Sequence, residues 1–319
     1  MLLHPEIHRH LKNVFGSSAI KDWYNSDGSA LSLIPKYLVK GIENTQNVVK
    51  QAMFSVSTFH YVQEGTHAIG HLVNPFYNIP HMDLENNPEQ MDAARHGLQL
   101  SGDYNAMNAF REGVGSGELL YKIPGIGKVL KTISEPLFLY YIPGLKYKTY
   151  QHILKRNARR WAKEIEKDPS VLDDVKYLSA HQANAAYGNL NYVDMGRNQT
   201  FQNVLRLTIL APDFLEARAG FAGQASKVLL GGKSGAEQFR ALAVLAVTLF
   251  VTARILNKLL DDDYHNDEPF DVIYHNRRYG LRSVPGDLYN LYERPHQFIA
   301  GRLSPVVGKT ARWMLTGKD

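Results

Sequence analysis

The chain has 319 residues, 36 Lys and Arg against 31 Asp and Glu, a formal net charge of +5 and 44% hydrophobic residues. That composition excludes wholesale disorder and suits one large or two modest domains. Cysteine is absent, which excludes a disulfide framework, a thiolate metal site and any cysteine nucleophile. The first 30 residues lack an uninterrupted apolar run and a cleavage-like site, so no secretory signal peptide is expected in them.

In chain order, residues 1–25 read as a short helix stopped by Gly16, and NSDGSA at 25–30 reads as a turn. Between Leu31 and about Ile69, the positions Ile34, Leu38, Ile42, Val49, Met53 and Val56 suggest helices with a 3.6-residue period. Residues 74–90 carry three prolines and four asparagines. They predict a long loop between an N-terminal helical segment, 1–80, and a helical core, 91–260. Residues 91–112 look helical, followed by the glycine-rich GVGSGELLYKIPGIGKVL and by the apolar, aromatic PLFLYYIPGL at 136–145. Leu154, Ala158, Trp161 and Ile165 stand at i, i+4, i+7 and i+11 and predict an amphipathic helix over 151–167, ended by Asp168-Pro169. A second helix is expected from about Ser170 to Tyr187, with Gly188 as its left-handed cap.

Residues 199–211 present Phe201, Val204, Leu205 and Ile209 on one face. Pro212 breaks the run, and helix resumes to about Leu230 before Gly231-Gly232. Ser234 and Glu237 have the S-x-x-E spacing of a capping box, opening the most apolar helix of the chain at 236–260. Its apolar residues go nearly all round, so it is expected to be the most buried element. The third segment, 261–319, begins with three aspartates, alternates over 270–284 as a small β-hairpin around HNRR, and ends in short helices around Pro295 and Pro305. The fold class is therefore all-α: a multi-helix assembly with a buried central apolar helix and one small β-hairpin near the C-terminus.

A membrane span is one reading of Ala241–Ala253, 13 uncharged residues flanked by Arg240 and Arg254. A bilayer core needs about 20 residues, and a run of this length is more often a core helix.

Chemistry-bearing constellations are few. Glu64, His67 and His71 fall at i, i+3 and i+7, with His60 one turn earlier. Such a face could hold a metal, or its histidines could simply be hydrogen-bonded at a helix contact. A second Glu-x-x-His unit, at Glu293, is spoiled by Pro295. Asp261, Asp263, His265 and Asp267 alternate as in a calcium loop, but Asn266 and Val272 occupy the positions that need Gly and Glu. GGKSG and PGIGKV lack the first glycine of a phosphate loop, and no G-x-S-x-G elbow occurs. No cofactor is implied, and nothing makes a positive case for an enzyme.

Charge is unevenly placed. Residues 121–163 hold ten basic side chains and one acidic, Glu135, a net of +9, whereas 1–90 carry a net of −2 and 261–319 a net of −1. Lys146, Lys148, Lys155, Arg156, Arg159, Arg160 and Lys163 form the densest part. Tyr140, Tyr141, Tyr147, Tyr150 and Trp161 are interleaved with them. An unpaired charge is too costly to bury, so this segment is expected to face solvent or a polyanion, either nucleic acid or anionic lipid.

Three strings, FHYVQEGTHAIGHLVNPF (59–76), HQANAAYGNLNYVDMGRNQTFQNVLRLTILAPDFLEARAGFAGQA (181–225) and the run from PFDVIYHNRRYG to LTGKD (269–319), carry a resemblance. They resemble the helical C-terminal regions of large polyvalent proteins of bacteriophages and related mobile elements. The resemblance covers about two thirds of the chain and is weakest over 77–180. It implies a phage or prophage origin and a module attached to other domains, carried in the virion or delivered to the host cytoplasm with DNA. The implied partners are other phage proteins or a larger polyvalent chain. The family assigns no catalytic residues to this region. Three functions compete: a non-enzymatic accessory module, a membrane-associated ejection protein using 119–163 and 238–260 at the host envelope, and a metal enzyme built on His60, Glu64, His67 and His71.

Overall fold

A computed structural model describes residues 59–100, 136–188, 212–260, 268–274, 277–280 and 283–300, with isolated positions 198, 201, 205 and 302. The predicted elements at 1–58, 101–135, 199–211 (apart from 201 and 205), 261–267 and 303–319 lie outside the described residues. Among those described, nine α-helices and one two-stranded antiparallel sheet are present, so the all-α class with a C-terminal hairpin is what the chain adopts.

The elements are α1 (Phe59–Gly70), α2 (Pro88–Arg95), a π-helical turn (Pro136–Tyr141) running into α3 (Ile142–Arg160), α4 (Ala162–Lys167), α5 (Val171–Ala186), α6 (Pro212–Ser226), α7 (Ala236–Leu260), β1 (Asp271–Tyr274), β2 (Arg277–Gly280), α8 (Val284–Glu293) and α9 (Pro295–Ala300). Local chemistry sets several of these boundaries. Asn87 caps α2 by accepting from the Glu89 and Gln90 amides, with Pro88 at the first helical position. Ser283 caps α8 by accepting from Gly286 N. Gly188, at φ 72°, follows α5 as expected. The helix expected over 91–112 stops at Arg95 instead, because Gly97 at φ 90° turns the chain away.

α3 and α5 form the broadest contact. Ala180 and Ala183 of α5 pack on Tyr147, Tyr150 and Ile153 of α3, joined by Ala93, Leu98 and Leu100. A second cluster unites α1, α3, α5, α6, α7 and α8 through Ala68, Leu145, Ala186, Phe221, Ala241 and Val284. Helix α1, from the N-terminal segment, thus shares a core with α3 and α7. Gly70 permits this: a Cβ there would lie 2.7 Å from Leu245 Cγ. Gly144 plays the same part in α3, where a Cβ would meet the Pro80 carbonyl oxygen.

The register of α3 differs from the expected one. Its fully buried face is Leu145, Lys146, Thr149, Tyr150, Ile153 and Asn157, whereas Leu154, Ala158, Trp161 and Ile165 are only partly covered. The helix also breaks at Trp161, where ψ rises to 16° before α4 begins. The polar members of the buried face are satisfied by distant partners. Asn157 Nδ2 donates to Ser179 Oγ (3.0 Å) and Gln182 Oε1 (2.7 Å), and Thr149 Oγ1 lies 2.8 Å from Tyr187 Oη.

Helix α7 is central but not buried all round. Glu237, Ala241, Leu245, Leu249, Ala253 and Asn257 form one covered row at four-residue spacing. A four-residue step overshoots the 3.6-residue turn, so this row winds about the helix and meets different neighbours along its length. Near its start it packs on α1 and α6, and near its end Asn257 clamps β1. The Asn257 amide donates to the Asp271 carbonyl (2.8 Å) and accepts from Ile273 N (2.7 Å). The hairpin pairs Asp271 with Gly280 and Tyr274 with Arg277.

Candidate functional site

Helix α1 turns Glu64 and His67 inward, and the turn that follows it does the same with His71; all are at least nine-tenths buried. They are not gathered as a ligand set, and the described residues contain no group of three His, Asp or Glu side chains placed to hold a metal. His67 packs against the Tyr187 ring, with centroids 6.2 Å apart. Burial, and then the charge of Arg218, hold its pKa down at about 3. His71 Nδ1 donates to Glu237 Oε1 at 3.3 Å, with its ring edge-on to Phe221. His60 sits in the first turn of α1, and its side chain lies outside the described set.

Glu237 is the buried hub that sequence reading missed. Its S-x-x-E spacing suggested that it would cap its own helix. Instead its carboxylate, fully buried, accepts from Arg156 Nη1 (3.0 Å) and Arg240 Nη2 (2.6 Å) as well as from His71. The turn after α1 is thus tied to α3 and α7 at one charge. A second tie joins α6 to the C-terminal segment: Arg218 pairs with Asp287 of α8, which also takes Arg302 (2.5 Å). Burial lowers the Arg218 pKa against the opposing effect of Asp287, and Glu64 lies within electrostatic reach of the same guanidinium. The arrangement neutralises charges by pairing them.

The basic segment divides into two groups. Lys146 is 1% exposed and donates to the Gln99 carbonyl at 3.0 Å, so the expectation that all of this charge faces outward fails there. A buried ammonium is tolerated where backbone oxygen replaces water. Lys148 donates to the Asn74 and Tyr77 carbonyls, Arg156 holds Glu237, and Arg160 donates to Asn157 Oδ1 (2.9 Å). These side chains brace the loop and core. Lys155, Arg159 and Lys163 remain as the exposed cations of the set.

The least expected surface belongs to α7. Opposite its buried row, Phe239, Val247, Phe250, Val251, Ile255 and Leu259 are exposed, Val247 at 64% and Leu259 at 75%. Their span of 21 residues is about 30 Å long. No carboxylate interrupts it; Arg240, Arg254 and Lys258 lie beside it. Among the described residues this helix, taken from Lys233 to Leu260, is long and apolar enough to cross a membrane by length and composition. The sequence carries the signal as all-round apolar character, which serves a core helix and a membrane-facing one equally.

No family model, curated protein or solved structure matches the chain.

Proposed function

We propose that the chain is a non-enzymatic helical interaction module whose contact surface is the exposed apolar stripe of α7. The carrying observation is that a helix anchored along one face by Glu237, Leu245 and Asn257 leaves Val247, Val251, Ile255 and Leu259 open to water. Contiguous exposed apolar surface of this kind marks contact sites. A row at four-residue spacing is the ridge that another helix packs against. The resemblance of 59–76, 181–225 and 269–319 to the helical regions of phage polyvalent proteins supports a phage or mobile-element accessory role, in the virion or the host cytoplasm, with other phage proteins as partners.

Sedimentation velocity over a concentration series tests the reading. Apolar contact is not directional, so with no other partner present the stripe pairs with its own copy. The double variant Val247→Asp, Val251→Asp stays monomeric. A wild type that is monomeric at every concentration overturns the reading.

A second reading, association with the host envelope, is favoured by the acid-free stripe beside Arg240, Arg254 and Lys258. Flotation with phosphatidylglycerol vesicles distinguishes it: binding that is absent from phosphatidylcholine vesicles and lost in the double variant supports a membrane role.

A further inference from the structure

A cavity of about 320 Å³ opens between α2 and α3, lined by Glu89, Asp92, Tyr147, Tyr150, Gln151 and Leu154. Tyr150 is 3% exposed, and among the described residues its hydroxyl makes no hydrogen bond. The residue lines the cavity and its oxygen is not sealed from water, so the hydroxyl opens on the cavity, where a donor on an occupant can reach it. The rings of Tyr147 and Tyr150 are stacked with centroids 6.3 Å apart.

The character of the cavity is negative. Burial and then the Glu89 charge push the Tyr147 hydroxyl up, and burial and then Asp92 do the same at Tyr150. Asp92 is largely committed, its carboxylate taking Lys176 Nζ at 2.9 Å while His96 Nδ1 donates to its backbone carbonyl at 2.7 Å. Glu89 is exposed, and its contact with the Tyr147 hydroxyl is long, at 3.5 Å. What remains on offer is a carboxylate, a phenol oxygen, an amide and two aromatic faces. That set repels anions and suits a cation rich in N–H donors.

We propose that this cavity binds a primary ammonium or guanidinium group, presented by a free polyamine or by a Lys or Arg side chain of a partner chain. The site is on α2 and α3, apart from the α7 stripe, and does not depend on it.

Isothermal titration of the full chain with spermidine and with a capped Lys-Arg dipeptide tests the proposal. Wild type binds at low salt. Glu89→Gln removes the charged acceptor and weakens binding about tenfold. Tyr150→Phe deletes only the unpartnered oxygen, so it weakens binding several-fold while the thermal midpoint stays or rises; a purely structural tyrosine would show the opposite. Tighter binding of the dipeptide than of spermidine assigns the cation to a protein partner, and the reverse assigns it to a polyamine. No heat with either probe at low salt, or wild-type affinity in either folded variant, overturns the proposal.

Discussion

Glu237 gathers three partners from three parts of the chain at one buried carboxylate. Two guanidinium groups and an imidazole meet its carboxylate, while Arg156 and Arg240 remain about a quarter exposed. Glu237→Ala strands those donors, but water reaches the two arginines and softens the loss. The expected destabilisation is about 2–4 kcal/mol, measured by urea unfolding. His67 gives a pH signature. Its folded pKa of about 3 lies below the ordinary value of 6.5, so the unfolded chain takes up a proton that the folded one refuses. The stability this residue permits is complete above pH 6.5 and is lost progressively as pH falls toward 3. At pH 5 the loss is about 2 kcal/mol. Comparing unfolding of wild type and His67→Gln at pH 7 and pH 5 isolates it: wild type loses more than the variant over that interval. Equal losses contradict a neutral, buried His67.

At the scale of elements, legibility followed the locality of the signal. Caps and stops lie within a few residues of what they control, so Gly188, the Gly231 turn and the hairpin at 271–280 were readable. The face of α3 was not, because Lys146, Thr149 and Asn157 look outward-facing on polarity alone. Their oxygens and nitrogens are satisfied by Gln99, Tyr187, Ser179 and Gln182, which no helical period of α3 can reveal. The same limit hid the Glu237 hub: Arg240 is three residues along, but Arg156 and His71 lie 81 and 166 residues away. Helix α7 poses the sharpest contrast between faces. Leu245, packed on Gly70, should cost several kcal/mol as Leu245→Asp, because a carboxylate enters the core without a partner. Val247→Ser, two residues along on the open face, should change stability by about 0.5 kcal/mol or less. Thermal unfolding of the two variants measures the difference. Similar losses would mean that both faces are packed.

For the whole molecule, net charge matters less than which charges are free. Of the seven basic residues singled out, Lys146, Lys148, Arg156 and Arg160 hold internal partners, and Lys155, Arg159 and Lys163 are exposed. Any polyanion binding by these seven therefore rests on those three. Replacing them together with Gln should abolish a weak, salt-sensitive association with DNA or anionic vesicles while leaving the helix intact, since Gln has similar helix propensity. A titration at two salt concentrations checks this, and unchanged binding by the triple variant removes the role.

The proposed contact surface is the apolar stripe of α7, and sedimentation velocity of wild type beside Val247→Asp, Val251→Asp tests it most directly. The predicted result is concentration-dependent association of the wild type, lost in a double variant that remains folded by circular dichroism. A wild type that sediments as a monomer throughout the series, indistinguishable from the variant, would contradict it.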